Sequence, residues 1–170
     1  SETALHLYRG DGAAAFAGFQ RDWAPLRWSL QMQNQVTRVI MLEQRARSAL
    51  AAANQSTSAR SLIARAERDA QRIKRERAPW ADGFADRILA VVAWHRGARE
   101  QSIALLRSAA TVLEAKGLRL HAAATWRRLG QVAGGDEGRA ALERGTAEMR
   151  RQQVRDLEPM TDSYIPRFGS

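Results

Sequence analysis

The residues in this chain that could do chemistry are few, and they begin with three histidines, His6, His95 and His121, since the sequence has no cysteine. Zinc chemistry asks for ligands at fixed spacing, such as two histidines four apart on one helix face. These three stand far apart and none has such a partner, so no metal site is expected, and no Ser-His-acid arrangement can be built from spacing. The run Gly134-Gly135-Asp136 could open a helix and offer N–H groups to an anion. Asp136 would repel a phosphate there, and a plain turn with an Asp cap is the simpler reading. No Gly-rich phosphate loop with a following strand lysine occurs, nor any HRD or DFG run. The residues therefore predict a chain without catalysis and without a cofactor.

Binding chemistry is better represented. The net charge is +9 and the pI about 11.3, which raises a nucleic-acid surface as a possibility. Almost all of the positive charge is Arg, with Lys only at positions 74 and 116, and Ala is abundant. That composition is what a GC-rich genome places on ordinary helix surfaces, and charge alone speaks to solubility and non-specific attraction. In "RSLIARAERDAQRIKRER", Arg65, Arg68, Arg72 and Arg75 form one stripe at helical spacing, opposite Leu62, Ile63, Ala66 and Ile73. Asp69 and Glu76 border the stripe and can pair with it. A solvated face is the default; docking to acidic protein or phosphate is the sharper alternative. Nucleic-acid modules interleave stacking aromatics with charge, and this helix carries none. Five tryptophans are many for 170 residues. Trp23, Trp28, Trp94 and Trp126 fall within apolar helical patterns, with core packing favoured for Trp126 and core or surface equally for Trp94.

The elements that must carry these residues recur. "LHLYRGDGAAAFAGFQRDW" reads as helix, tight turn at Gly10, then a helix capped by Asp11 with Ala15, Phe16 and Phe19 on its apolar face. A second unit has Val36, Val39, Ile40, Leu42 and Leu50, a polar break at Asn54, a cap at Ser56, Thr57 or Ser58, and then Leu62, Ile63, Ala66, Ala70 and Ile73. Pro79 ends it and fits the first turn of the next helix. The third unit turns at Gly97 and closes at Gly117; the fourth turns at Gly134. Aligning Ala15, Ala59, Ser102 and Ala140 gives repeats of about 44, 43 and 38 residues, the range of helical repeat arrays. No strand pattern occurs. The expected fold is all-α: about four antiparallel helix pairs, the first truncated, each stacking on its neighbours because its apolar face is too large to leave wet.

At "GAREQSIALLRSAATVLEA" the small-residue spacing resembles a tetratricopeptide repeat, although the units are longer than that motif and its aromatic-Leu-Gly signature is absent from the first helix of this unit. A closer resemblance covers most of the chain. "LYRGDG", "AFAGFQRDWAPLRWSL" with Trp23, Pro25 and Leu26, "RARSALAAA", "LRLHAAATWRRLGQVAGGDEG" and "MTDSYIPRF" resemble the carboxy-terminal helical region of large bacterial serine/threonine protein kinases, which join a kinase to an ATPase-like module and a tetratricopeptide-type tail. Regulators with ATPase cores and helical-repeat sensors share much of this look. In tetratricopeptide-like arrays the first helix of each pair lines the concave surface, so the resemblance makes Arg87, Trp94, His95, Arg127 and Arg128 groove residues. It implies a non-catalytic module of a bacterial signalling protein, binding a protein partner or other domains of its own chain. The alternatives are a small-molecule sensor of an ATPase-type transcriptional regulator and, behind it, a basic nucleic-acid-binding module.

Further expectations concern the chain as a whole. It lacks cysteines, a charged-then-apolar leader and an apolar run near the roughly 20 residues of a membrane span, which predicts a cytoplasmic protein without membrane contact. Its mid-helix beginning at "SETALHLY" reads as a piece of a longer protein. The organisation expected is a helical-repeat domain over 1–153 and a tail over 154–170. Pro159 and Pro166 break any continuous helix, while Leu157, Met160, Tyr164, Ile165 and Phe168 are too apolar for a disordered tail. The tail should then fold back as an extended cap, placing Met160, Ile165 and Phe168 against the final helices.

Overall fold

A computed structural model describes residues 2–27 and 34–168. Among the described residues the chain is helical throughout, with no strand. The helices are α1 (Glu2–Tyr8), α2 (Gly12–Arg27), α3 (Gln35–Ala53), α4 (Ala59–Arg75), α5 (Asp82–His95), α6 (Arg99–Ala115), α7 (Arg119–Ala133), α8 (Gly135–Arg151) and α9 (Leu157–Tyr164). Helices α1 to α8 pack as consecutive pairs, and each pair meets the next through α2 on α3, α4 on α5 and α6 on α7. The first helices of the pairs also touch, α1 against α3 and α3 against α5, so they line one common face.

The turns fall where the sequence predicts them. Asp11 accepts from the Ala14 N–H at 2.9 Å and caps α2, and Asn34 does the same for α3 through the N–H of Val36. Gly97 has φ +76° and closes α5: its N–H bonds the Trp94 carbonyl and that of Ala98 bonds the Ala93 carbonyl, satisfying the orphaned end of the helix. Two local expectations are corrected. Pro79 lies in the turn ahead of α5, which starts only at Asp82. Ser58 precedes α4 without a capping side-chain bond, its own N–H being held by Ser56 Oγ.

The core is built from Leu50, Ile73, Leu106, Leu113, Leu129 and Met149, all fully buried, with many alanines between them. Alanine lets helix axes approach closely, and fully burying each large apolar side chain is worth roughly 1.5–3 kcal/mol. The repeat alignment needs correcting at two places. Ala15 and Ser102, each fourth in its helix, are fully buried, but Ala140 is exposed and Ala59 half-buried. The fourth residue of α8 is Gly138, buried against the Gly130 carbonyl, and that of α4 is Leu62. A small residue is kept only where helices touch most closely.

Charged residues also lie in this core. Arg45 forms a two-pronged ion pair with Asp69 at 2.5 and 2.7 Å, both side chains buried, tying α3 to α4. Asp69 thus turns inward rather than serving the Arg stripe; Arg72 approaches it only to 3.9 Å. Glu76 pairs with Arg38 of α3 at 2.7 Å, which holds its carboxyl below the ordinary value. Arg68, Arg72 and Arg75 are exposed, and Arg65 covers the Phe16 ring. Trp23 stacks on Phe19 and beneath the Arg45 guanidinium. Trp126 is half-buried under Arg144, at the edge of the core rather than within it. Trp28 lies outside the described residues.

The tail folds back against α7, one of the final helices, as expected, but not as an extended cap. After α8 the chain turns back and forms a helix, α9, before becoming extended at Ile165–Phe168. It does not cover the flank of the last pair. Helix α9 packs on α7 and on α1, across the face lined by the first helices. The flank needs no cover: along α8 the exposed residues include Asp136, Arg139, Glu143 and Arg150, a polar stripe.

Candidate interaction face

The face carries a cluster of buried charge beneath it. Glu43 of α3 accepts from Arg87 of α5 at 2.6 Å and lies 3.4 Å from Nε of Arg47, one turn along its own helix. Arg87 is 2% exposed and also donates to His121 Nδ1 of α7 at 3.2 Å. Desolvation lowers the Arg87 pKa to about 10. Burial first, then the charges of Arg87 and Arg47, push His121 down to about 2, so its imidazole is neutral and accepts from Arg87. Arg87 is therefore a strut joining α3, α5 and α7, and the expectation that it meets a partner directly is corrected.

Above this layer, side chains of the face hold the chain's own residues 156–168. Arg47 donates to the carbonyl of Ser163, at the open end of α9, where unsatisfied carbonyls carry partial negative charge. Arg128 donates to the Ile165 carbonyl at 2.8 Å and to Asp162 at 2.6 Å. Arg127 reaches Thr161 Oγ1 at 3.0 Å and pairs with Glu158. Asn54 donates to the Arg167 carbonyl at 2.7 Å. Tyr164 packs edge-on against His121 with ring centroids 4.5 Å apart, and Phe168 lies on Trp94 at 5.1 Å. Tyr8 of α1 donates to Asp156 at 3.0 Å, an interaction that raises the Tyr8 pKa.

Helix packing sets the reach of these groups. Gly145 of α8 lies so close to α7 that a Cβ would come within 2.5 Å of the Ala123 carbonyl and 2.8 Å of the Arg127 side chain. That close approach seats Arg127 between α8 and α9, where Thr146 also accepts from it. Arg99 lies over the Trp94 ring, 4.9 Å from its centroid, and bonds the Val132 carbonyl at 2.9 Å.

Of the groove residues expected from sequence, Trp94, Arg127 and Arg128 thus touch residues 156–168, and Arg87 supports the face from beneath. His95 is half-buried, its Nε2 buried without a hydrogen-bond partner among the described residues, and desolvation lowers its pKa. The sequence does not single out Glu43, Arg47, Asn54 and His121 as face residues. The Glu43–Arg47 spacing of one turn is visible in it, but a helix buried on nearly every side offers no polar face to betray them.

The packing around α9 is incomplete. A cavity of about 490 Å³ opens between α9, α3 and the start of α7, and another of about 510 Å³ lies where the tail passes the α1–α2 turn and the end of α3. Comparison of the chain with protein-family models, with curated proteins and with solved structures finds no match.

Proposed function

We propose that this chain is a non-catalytic protein-interaction module whose helix pairs form a tetratricopeptide-like superhelix, with the first helices on its concave side, and that residues 156–168 occupy its own peptide-binding face. The observation that carries this reading is the way the tail is held. Arg47, Arg128 and Asn54 grip backbone carbonyls, which any peptide possesses. Arg127 and Arg128 select acidic side chains, and His121 and Trp94 select aromatic ones. Backbone contacts of this kind supply affinity while spaced side chains supply specificity. The natural ligand is then a partner segment, or another domain of the same polypeptide, with acidic residues one helical turn apart followed by aromatics. The resemblance to the helical tail of bacterial serine/threonine kinases supports a role in a cytoplasmic signalling protein, where an occupied face regulates its neighbours.

The test uses the full chain. Glu158→Arg with Asp162→Arg sets like charges against Arg127 and Arg128 and releases the tail. A fluorescent peptide of residues 156–168 should then bind this variant, measured by anisotropy. It should bind the unaltered chain at least about tenfold more weakly, because a tethered competitor acts at roughly millimolar effective concentration. Absence of binding to a variant whose helical circular dichroism is intact would overturn the reading.

A further inference from the structure

The cavity between α9, α3 and α7 has a chemical character that the tail does not account for. Two guanidiniums, Arg47 and Arg87, share one carboxylate, Glu43, among the described residues, and His121 beside them is neutral. The cluster thus holds a surplus positive charge in a largely water-excluded place, where an uncompensated charge is costly. The Ser163 carbonyl receives one N–H of Arg47, a partial charge against a full one. Arg47, only 7% exposed, has its Nε buried without a hydrogen bond among the described residues and meets Glu43 there only as an ion pair at 3.4 Å.

Around this cation the cavity wall changes character. Ile40, Phe84, Leu118 and Met160 line it, and His121 and Tyr164 add polar tips. Ile40 is 41% exposed and Val36, one turn before it on α3, is 50% exposed, so the wall runs out onto unusually bare apolar surface. At about 490 Å³ the space lies within the range of small-molecule sites, roughly 300–1,000 Å³, mostly apolar with a few convergent polar groups.

The geometry points to a binding site for a small monoanionic amphiphile, a carboxylate with an aliphatic or aromatic body, its head at Arg47 and its body along Ile40, Leu118 and Met160. One wall is α9 itself, so such a ligand also fastens the tail to the face. The site requires only the closed arrangement; it stands whether or not a partner peptide displaces the tail.

Octanoate, 4-phenylbutyrate and 1-naphthoate, each beside its matching alcohol, are the probes, titrated calorimetrically into the full chain. At least one acid should bind about tenfold or more tighter than its alcohol. Ile40→Trp, which fills the cavity mouth without touching the charges, should abolish binding of both. Arg47→Gln should remove the preference for the acid; should that variant misfold, Ile40→Trp alone decides the location. Equal binding of acids and alcohols, no binding by any acid, or an acid preference that survives Ile40→Trp would each overturn the site. Peptide binding to the tail-released variant is a separate measurement, so either conclusion can fail without the other.

Discussion

At the scale of single residues, the informative side chains are charged ones that the fold has buried. Sequence reading names Arg127, Arg128 and Trp94, which stand on the first helices of their pairs and lie against residues 156–168. It misjudges Arg87, since nothing in "FADRILAVVAW" says that a carboxylate two helices away in the chain order will draw the guanidinium inward. His121 carries a consequence for stability. Its folded value of about 2 lies far below the ordinary value near 6.5 that it regains on unfolding. Between those limits the unfolded chain binds the extra proton, so stability is full above about pH 6.5 and falls as the pH drops. The loss between pH 7 and pH 5 should be about 2 kcal/mol, read as a lower urea midpoint. His95, lowered by burial, adds a slope of the same sign. His121→Gln should leave only that remainder; an unchanged pH profile in this variant would show that His121 is not the titrating group.

At the scale of elements, helix existence and turn positions are legible because Gly10, Gly97 and Gly134 combine left-handed backbone with breaks in apolar periodicity. The helix that escapes is α9. Pro159 reads as a breaker in the sequence, yet it is the third residue of α9, in the first turn, where N–H groups have no intrahelical partner to lose. Only Pro166, after Ile165, acts as a stop. The small-residue alignment fails for a related reason: helix contact is set by register in space, and loops of unequal length shift that register. Gly145 marks one such contact. Gly145→Ala should cost about 1–3 kcal/mol in urea unfolding, because its Cβ meets backbone atoms of α7 that cannot yield. Gly18→Ala in α2 is the control, since the nearest atom is a flexible arginine tip at 3.8 Å. There the helix should gain about 0.5–1 kcal/mol. Equal effects at both sites would mean that the α7–α8 approach is looser than described.

At the scale of the whole molecule, the question is what the tail does for the array. The sequence marks residues beyond 153 as too apolar to hang free and points to the flank of the last pair as what they cover, whereas the structure lays them across the face of the first helices. Charge decides between them: α8 turns acids and arginines outward, whereas the face offers Arg47, Arg127 and Arg128 to a segment carrying Glu158 and Asp162. Losing the tail would uncover Trp94 and His121, leave Arg127 and Arg128 without their acidic partners, and forfeit the burial of Ile165, which is 1% exposed. Burial of that one side chain is worth roughly 1.5–3 kcal/mol, and the unpaired, half-desolvated arginines add to the loss. Cutting the chain after Gln153 should therefore lower the melting temperature by about 5–10 °C, given a few degrees per kcal/mol at this size. It should also promote aggregation through the uncovered aromatics. Adding the 156–168 peptide in excess should recover part of the lost temperature, because a ligand that binds only the folded state stabilises it in proportion to its occupancy. A truncated chain that melts where the full chain does would mean that the face is stable when empty and that the tail is no more than a connecting segment.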